Sequence, residues 1–218
     1  MRIYDLAVFD FDGTLADTLP WMISIMNEVG ERYGVRHVDE SEYDMLRGMN
    51  ALQIAKHLNV SPLKLPAMGA YVRRRMAQEI DAIRLVAGIP EVLHTLTARG
   101  VTLAVVSSNA ERNVRQALGS ELASLMVMYE CGVSLLGKPA KLRHVLHTTH
   151  TERERGIYFG DEIRDVEAAQ AAGMASGAVV WGYNSAASLA ALGPTALVRS
   201  PAEIVSLLLG DPESDPAP

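Results

Sequence analysis

Short apolar runs that end in polar turns recur along this chain and alternate with helical patterns. We predict strands at 3–9, 101–106, 125–129, 156–159, 176–181 and 195–198, and helices at 90–99, 110–118, 139–149, 163–172, 185–191 and 201–209. Continuous apolar runs are typical of strands that are buried on both faces. Strands that alternate with helices predict an α/β fold: a three-layer, Rossmann-like core with helices on both faces of a parallel sheet.

Residues 16–85 interrupt this alternation. Trp21, Ile25 and Val29 follow helical spacing, and the segment has no convincing strand pattern. We therefore predict an all-helical domain at 16–85, inserted after the first strand of an α/β core that comprises 1–15 and 86–210. Prolines and acids dominate residues 211–218, which we expect to be disordered.

Composition narrows the possible partners and compartment. The formal net charge of -6 argues against a nucleic-acid surface, which is normally basic. A single cysteine, Cys131, excludes an internal disulfide and fits a reducing cytoplasm. The longest uncharged stretch, 168–198, is broken by glycines and a proline, so we expect no membrane span. We expect a cytoplasmic protein that is a monomer or a homodimer.

Two carboxylates follow the first predicted strand, in the string Asp10-Phe11-Asp12-Gly13-Thr14. Side chains at i and i+2 of an extended segment lie on the same face. Two adjacent carboxylates repel each other unless a cation or a proton sits between them. This suggests that Asp10 is an ionised nucleophile and metal ligand. Asp12 would hold a proton for a leaving group and then act as a base towards water.

Three further strand ends carry polar side chains, at the edge where open parallel sheets bind ligands. Ser107 can donate its hydroxyl to a phosphate oxygen, and Lys138 can neutralise phosphate charge. Asp161 and Asp165 are four residues apart, so both can face one way in a first helical turn. Asp10 with Asp161 fits the few carboxylates that Mg²⁺ takes from a protein.

The ordered set of Asp10-Phe11-Asp12-Gly13-Thr14, strand–Ser107, Lys138-Pro139 and Gly160-Asp161…Asp165 resembles the haloacid dehalogenase superfamily. The motifs span essentially the whole chain. Within the superfamily, the chain is similar to the small phosphatases that include phosphoglycolate phosphatases and beta-phosphoglucomutases. The insert at 16–85 matches their cap domain in position and length.

The resemblance implies a Mg²⁺-dependent phosphatase that acts on a small phosphorylated metabolite through an aspartyl-phosphate. Asp10 would be the nucleophile and Asp12 the general acid/base. The other implied roles are phosphate binding by Ser107 and Lys138, metal binding by the Asp10 carboxylate, the Asp12 carbonyl and Asp161, and support of Lys138 or the metal by Asp165. Ser108, Asn109 and, in the cap, Arg47 are further candidate substrate contacts.

Two positions refine these expectations. The founding dehalogenases lack a carboxylate two residues after the nucleophile, so Asp12 favours phosphoryl transfer over dehalogenation. Glu162 stands where relatives often carry Ser, and it either adds negative charge near the metal or points outward. Two alternatives stay open: a phosphosugar mutase, and a phospho-accepting signalling domain without turnover. The substrate is not specified by the sequence.

Overall fold

The computed structural model describes residues 2–132 and 137–210, so the predicted tail at 211–218 lies outside the described residues. Six strands form one sheet: β1 (Leu6–Phe9), β2 (Thr102–Val106), β3 (Met126–Glu130), β4 (Gly156–Gly160), β5 (Ala175–Val179) and β6 (Ala196–Val198). The sheet order is β3-β2-β1-β4-β5-β6 and all neighbouring pairs are parallel. The α/β prediction is confirmed.

The helices of the core follow the strands in sequence. They are α5 (Ile89–Ala98), α6 (Glu111–Leu125), α7 (Lys138–Thr148), α8 (Ile163–Ala172), α9 (Ala186–Ala190) and α10 (Pro201–Leu209). The predicted helix at 110–118 extends further than expected. It is interrupted at Gly119, whose φ of 70° is left-handed, and then continues to Leu125.

Both faces of β1 are buried, which explains its continuous apolar sequence. Ala7 and Phe9 pack with residues of α5, α6 and α10 on one face. Leu6 and Val8 pack with residues of α7 and α8 on the other. This alternation is the two-residue period of a strand, here with apolar partners on each side. The result is the expected three-layer core.

The helical insert follows β1 and the loop that carries Asp10 and Asp12. It contains α1 (Leu19–Tyr33), α2 (Tyr43–Leu46), α3 (Ala51–His57) and α4 (Leu65–Glu79), joined by loops and 3-10 turns. The two connections to the core run side by side: Asp17 N donates to Arg84 O (2.9 Å) and Val86 N donates to Leu15 O (3.0 Å). Among the described residues, none of the helices is both long and apolar enough to cross a bilayer.

Candidate active site

Asp10 lies immediately after β1, in the centre of the sheet. Its backbone N–H continues the sheet by donating to Phe159 O at 2.8 Å, and its side chain is buried. One carboxylate oxygen accepts from Phe11 N at 2.8 Å, and the other accepts from Lys138 Nζ at 2.6 Å. The carboxylate is therefore fixed at the carboxyl edge of the sheet by a backbone amide and an ammonium group.

Lys138 is the first residue of α7 and joins two carboxylates. Its buried ammonium bonds to Asp10 and to Asp165, and the Tyr158 hydroxyl also donates to Asp165, at 3.2 Å. Burial lowers the pKa of Lys138, but the negative charges of Asp10 and Asp165 raise it on balance to about 12. Lys138 thus stays charged, as a phosphate-binding role requires.

Asp12 lies beside Asp10 and faces the loop after β2. The Asn109 amide donates to both Asp12 oxygens, at 3.2 and 3.1 Å. Burial and the Asp10 charge raise the pKa of Asp12 to about 7, against the lowering effect of Asn109. A carboxyl group with this pKa can hold or release a proton near neutrality.

The loop between β2 and α6 supplies hydroxyl and amide groups to the same edge. Ser107 is fully buried, and its Oγ accepts from Asn109 N at 3.1 Å. Asn109 Oδ1 accepts from Ala110 N (2.8 Å) and from Asn113 Nδ2 (3.0 Å), which orients its amide towards Asp12. Ser108, which lies between Ser107 and Asn109 in sequence, is partly exposed.

Asp161 follows β4 and is held by residues from two other loops. Its oxygens accept from Thr14 Oγ1 at 2.8 Å and from Tyr183 N at 2.7 Å. Gly13, with φ of 73°, lets the chain pass so close that a Cβ there would lie 2.2 Å from Asp161 Oδ2. Burial, together with the nearby carboxylates, raises the pKa of Asp161 well above its ordinary value.

Glu162 points towards the site rather than away from it. Carboxylate oxygens of Asp10, Glu162 and Asp165 all lie within 4.8 Å of one another. Burial is the main cause that raises the pKa of Glu162, and it outweighs the ion pair with Arg164. Of the two alternatives for this position, the structure shows the one that adds negative charge beside Asp10.

The donor set fits a small divalent cation. The carboxylates that gather here are Asp10, Asp12, Asp161, Glu162 and Asp165, and the cations beside them are Lys138 and Arg164. Buried charges of one sign are unfavourable unless they are compensated. Oxygen ligands with excess negative charge are what Mg²⁺ prefers. Asp161 lies outside the group of Asp10, Glu162 and Asp165, so the predicted ligand set of Asp10, Asp12 and Asp161 stays a prediction.

Arg47, the predicted substrate contact in the insert, lies against a core loop. Its Nε donates to Tyr183 O at 3.2 Å and its Nη2 donates to Gly182 O at 3.0 Å. The guanidinium is therefore brought to the loop that holds Asp161. A contact between Arg47 and the substrate stays a prediction.

Several residues that shape the site were given no role in the sequence prediction, although Thr14 stands in its first motif: Thr14, Tyr158, Arg164, Tyr183 and Asn184. Tyr158 lies inside β4, where the sequence signals only an apolar strand. Tyr183 and Asn184 follow β5 at the carboxyl edge of the sheet. The rule that ligands bind at strand ends could have found these two.

Comparison with known proteins decides the family. The model of the haloacid dehalogenase-like hydrolases matches residues 7–179. The chain belongs to this family. It is 32% identical over 199 residues to a phosphoglycolate phosphatase of Synechococcus elongatus, a match that covers 91% of this chain and 94% of that protein. It is also 27% identical to an N-acetylmuramic acid 6-phosphate phosphatase of Pseudomonas aeruginosa, over 92% and 93% of the two chains.

Solved structures agree on the fold. A haloacid dehalogenase-like hydrolase from Streptococcus pneumoniae superposes with a TM-score of 0.77 at 20% identity, over 94% of this chain and 99% of that one. The resemblance inferred from the motifs is confirmed. The protein is a phosphate ester hydrolase of the haloacid dehalogenase-like family.

Proposed function

We propose that this hydrolase is a Mg²⁺-dependent phosphatase that cleaves a small phosphorylated metabolite through an aspartyl-phosphate on Asp10. The observation that carries the proposal is the arrangement around Lys138: its ammonium lies between Asp10 and Asp165 (2.6 Å from Asp10). The Tyr158 hydroxyl lies 3.2 Å from Asp165 Oδ1 and 3.2 Å from the carbonyl oxygen of Val106, the residue before Ser107. A nucleophile, a phosphate-binding cation and a hydroxyl donor are thereby available at one strand edge.

The first half-reaction would transfer the phosphoryl group to Asp10. An Asp10 oxygen attacks phosphorus, the bond from phosphorus to the ester oxygen breaks, and the departing oxygen takes a proton from Asp12. Lys138, Ser107, Ser108 and Asn109 would hold the phosphate oxygens, and positive charge there stabilises the transition state. Burial and the proximity of Asp10, which together raise the pKa of Asp12 to about 7, support its role as the acid.

The second half-reaction would release inorganic phosphate. Asp12, now ionised, takes a proton from water while the water oxygen attacks phosphorus. The bond between phosphorus and the Asp10 oxygen breaks, which restores both carboxyl groups to their starting states. Asn109, bonded to both Asp12 oxygens, would hold the base in position for this step.

The excess of carboxylates supports the metal requirement. Asp10, the Asp12 carbonyl and Asp161 are the proposed ligands, with Asp165 supporting Lys138, and Glu162 lies close enough to Asp10 to join them. Bound Mg²⁺ supplies positive charge that lets a phosphate dianion approach the Asp10 carboxylate. The raised pKa values of Asp10, Asp161 and Glu162, caused first by burial, fit a site that needs such compensation.

The substrate class rests on the relatives and on the insert. Phosphoglycolate and N-acetylmuramic acid 6-phosphate are substrates named for related proteins, and we propose a small phosphate monoester for this one. The insert would act as the cap that closes over the site and selects the substrate. Arg47 would bring a positive charge to this closure.

The test is a panel of phosphate monoesters assayed with purified protein: phosphoglycolate, sugar phosphates, N-acetylmuramic acid 6-phosphate and nucleoside monophosphates. We expect turnover of at least one small ester with Mg²⁺, its loss in excess chelator and its return on addition of Mg²⁺. A phosphoenzyme formed from a radiolabelled phosphate ester and trapped by rapid acid quench should carry the labelled phosphate on Asp10.

The contrary results are specific. Full turnover in excess chelator would contradict the metal role, and label on another residue would contradict the role of Asp10. Interconversion of glucose 1-phosphate and glucose 6-phosphate without phosphate release would identify a mutase instead. A stable phosphoprotein without any turnover would identify a phospho-accepting domain.

A further inference from the structure

The helical insert is hydrogen-bonded to the loop that follows β5. We call residues 47–50 the insert loop and residues 180–185 the β5–α9 loop. Arg47 donates from its guanidinium to Gly182 O and Tyr183 O, and its own carbonyl accepts from Ser185 N at 2.9 Å. Donation therefore runs in both directions across this contact, which joins residues more than 130 positions apart in sequence.

Asn184 is the central residue of the contact between the insert loop and the β5–α9 loop. It is only 4% exposed, and its Nδ2 donates to two insert-loop carbonyls, Arg47 O at 2.8 Å and Met49 O at 2.9 Å. Its Oδ1 accepts from Ile163 N at 2.9 Å. A buried amide group makes its hydrogen bonds or destabilises the fold, and here both donor bonds go to the insert.

The other end of Asn184 reaches the catalytic edge. Ile163 is the first residue of α8, and the first N–H groups of a helix have no partner within the helix. Asn184 satisfies this N–H, and its own backbone N–H donates to Asp161 O at 3.2 Å. The neighbouring Tyr183 N donates to the Asp161 carboxylate at 2.7 Å. Consecutive residues thus fix the backbone and the side chain of Asp161.

We propose that Asn184 is a positioning residue that couples docking of the insert loop to the orientation of Asp161 and of the α8 N-terminus. The inference rests on the proposed function, in which Asp161 is a metal ligand. Withdrawal of the insert loop leaves the buried Asn184 amide without its two acceptors, Arg47 O and Met49 O, so the β5–α9 loop is free to move. Movement of that loop shifts the groups that hold Asp161.

Reciprocity follows from this coupling. If docking of the insert loop orders Asp161, then a cation bound at Asp161 favours the docked insert loop by the same free energy. The coupling is expected in the absence of substrate, so it can be measured without turnover. A purely structural role for Asn184 predicts lower stability with unchanged cation binding.

The test compares three variants. Asn184→Ala removes both insert bonds and the bond to Ile163. Asn184→Asp keeps an acceptor for Ile163 N and removes the donors to the insert. Ser188→Ala is the matched control, because Ser188 Oγ donates to Arg47 O at 3.3 Å but is bonded to neither Asp161 nor Ile163. The readouts are the Mg²⁺ concentration that gives half of the maximal rise in melting temperature, and kcat and KM on the best ester of the panel.

For both Asn184 variants we expect the Mg²⁺ midpoint to rise about tenfold and kcat at saturating Mg²⁺ to fall about tenfold. Each tenfold change corresponds to about one net hydrogen bond of the two or three that the variants remove. Ser188→Ala should stay close to the wild type in both. The coupling is overturned if Asn184→Ala has a lower melting temperature than the wild type but the same Mg²⁺ midpoint as Ser188→Ala. A wild type without Mg²⁺-dependent stabilisation and without turnover overturns the proposed function instead.

The wild type alone gives a second measurement, which stands if the variants do not fold. Amide hydrogen exchange at Ser185, whose N–H donates to Arg47 O, reports docking of the insert loop. Exchange at Ser185 should slow when Mg²⁺ is added. Exchange that Mg²⁺ leaves unchanged, in protein that Mg²⁺ stabilises against heat, overturns the coupling.

Discussion

The acids at the carboxyl edge of the sheet and those on the insert are held in opposite ways. Burial and Asp10 raise the pKa of Asp12 to about 7, whereas hydrogen bonds from Arg36 and from the Asp39 backbone lower the pKa of Glu42 to about 2. On the insert, Arg36 meets Glu42 with two bonds, at 2.8 and 2.6 Å, on a partly exposed surface. In this ion pair, the positive charge of Arg36 and the negative charge of Glu42 stabilise each other.

At the sheet edge, carboxylates outnumber the cations beside them, and burial is the main cause that raises the pKa values of Asp10, Asp12, Asp161 and Glu162. Such an arrangement costs stability, because buried like charges repel and lose hydration. An edge of this kind is typical of a functional site, where acids are kept at unfavourable pKa values for their chemistry. The same residue types therefore have the pKa values of a functional site in one region and form stabilising ion pairs in the other.

The sharpest test of this difference is one isosteric change in each region. Asp10→Asn should abolish turnover, because an amide oxygen is a poor nucleophile, while its oxygen still accepts from Phe11 N. Its melting temperature should not fall, since the variant removes one of several repelling acids. Glu42→Gln should keep the wild-type rate. Steady-state rates and thermal melts check both, and turnover by Asp10→Asn would remove Asp10 from the mechanism.

Two lysines of α7 extend the comparison to cations. Lys138→Met should lose activity and about 3–5 kcal/mol of unfolding free energy, because it leaves Asp10 and Asp165 buried without their shared partner. Lys141 pairs with Glu130 at 2.5 Å, but its side chain is 41% exposed, and the buried Glu130 keeps His144 as a second partner at 2.7 Å. Lys141→Met should therefore cost about 0–1 kcal/mol.

Urea unfolding and rate measurements separate the two lysine variants. Equal losses of stability would show that the pair at the sheet edge contributes no more than a surface ion pair. Retained activity in Lys138→Met would show that phosphate is neutralised by another group.

Asp12→Asn tests proton transfer. The variant should lose about 10²–10⁴-fold in rate on an alkyl phosphate, whose leaving oxygen needs a proton. It should lose much less in phosphorylation of Asp10 by an aryl phosphate, whose leaving group departs as an anion. Rapid-quench measurement of phosphoenzyme formation gives both rates. An equal loss with the two esters would assign Asp12 to positioning rather than to proton transfer.

The sequence predicted which residues lie at the carboxyl edge of the sheet better than it predicted the contacts between the insert and the core. The strand ends named for chemistry all lie at the carboxyl edge of the sheet, because the parallel direction of the strands follows from the alternation of strands and helices. Asp10, Lys138 and Asp165 accordingly meet at one point. Their individual roles stay predictions.

Contacts between the insert and the core could not be predicted in the same way. Arg47 meets Tyr183 only because the insert packs on a loop 136 positions away. No periodicity encodes that docking. The direction of Glu162 was equally open, because it depends on how α8 begins: Asp165 accepts from Glu162 N at 3.0 Å, and this fixes the first turn. Tertiary packing decides the contact of Arg47 and the direction of Glu162, and the pattern of apolar and polar residues in the sequence does not encode either.

The smallest expected effect is the pH dependence of the Glu42 pair. The folded pKa of Glu42 lies below its ordinary value, so its contribution to stability is complete above about pH 4.5 and is lost as pH falls towards 2. The difference in melting temperature between the wild type and Glu42→Gln should shrink over that interval. Glu40→Gln, an exposed neighbour in the same 3-10 turn, is the control for charge alone. A constant difference from pH 6 to 2 would show that the Arg36 contact acts through packing rather than through the Glu42 charge.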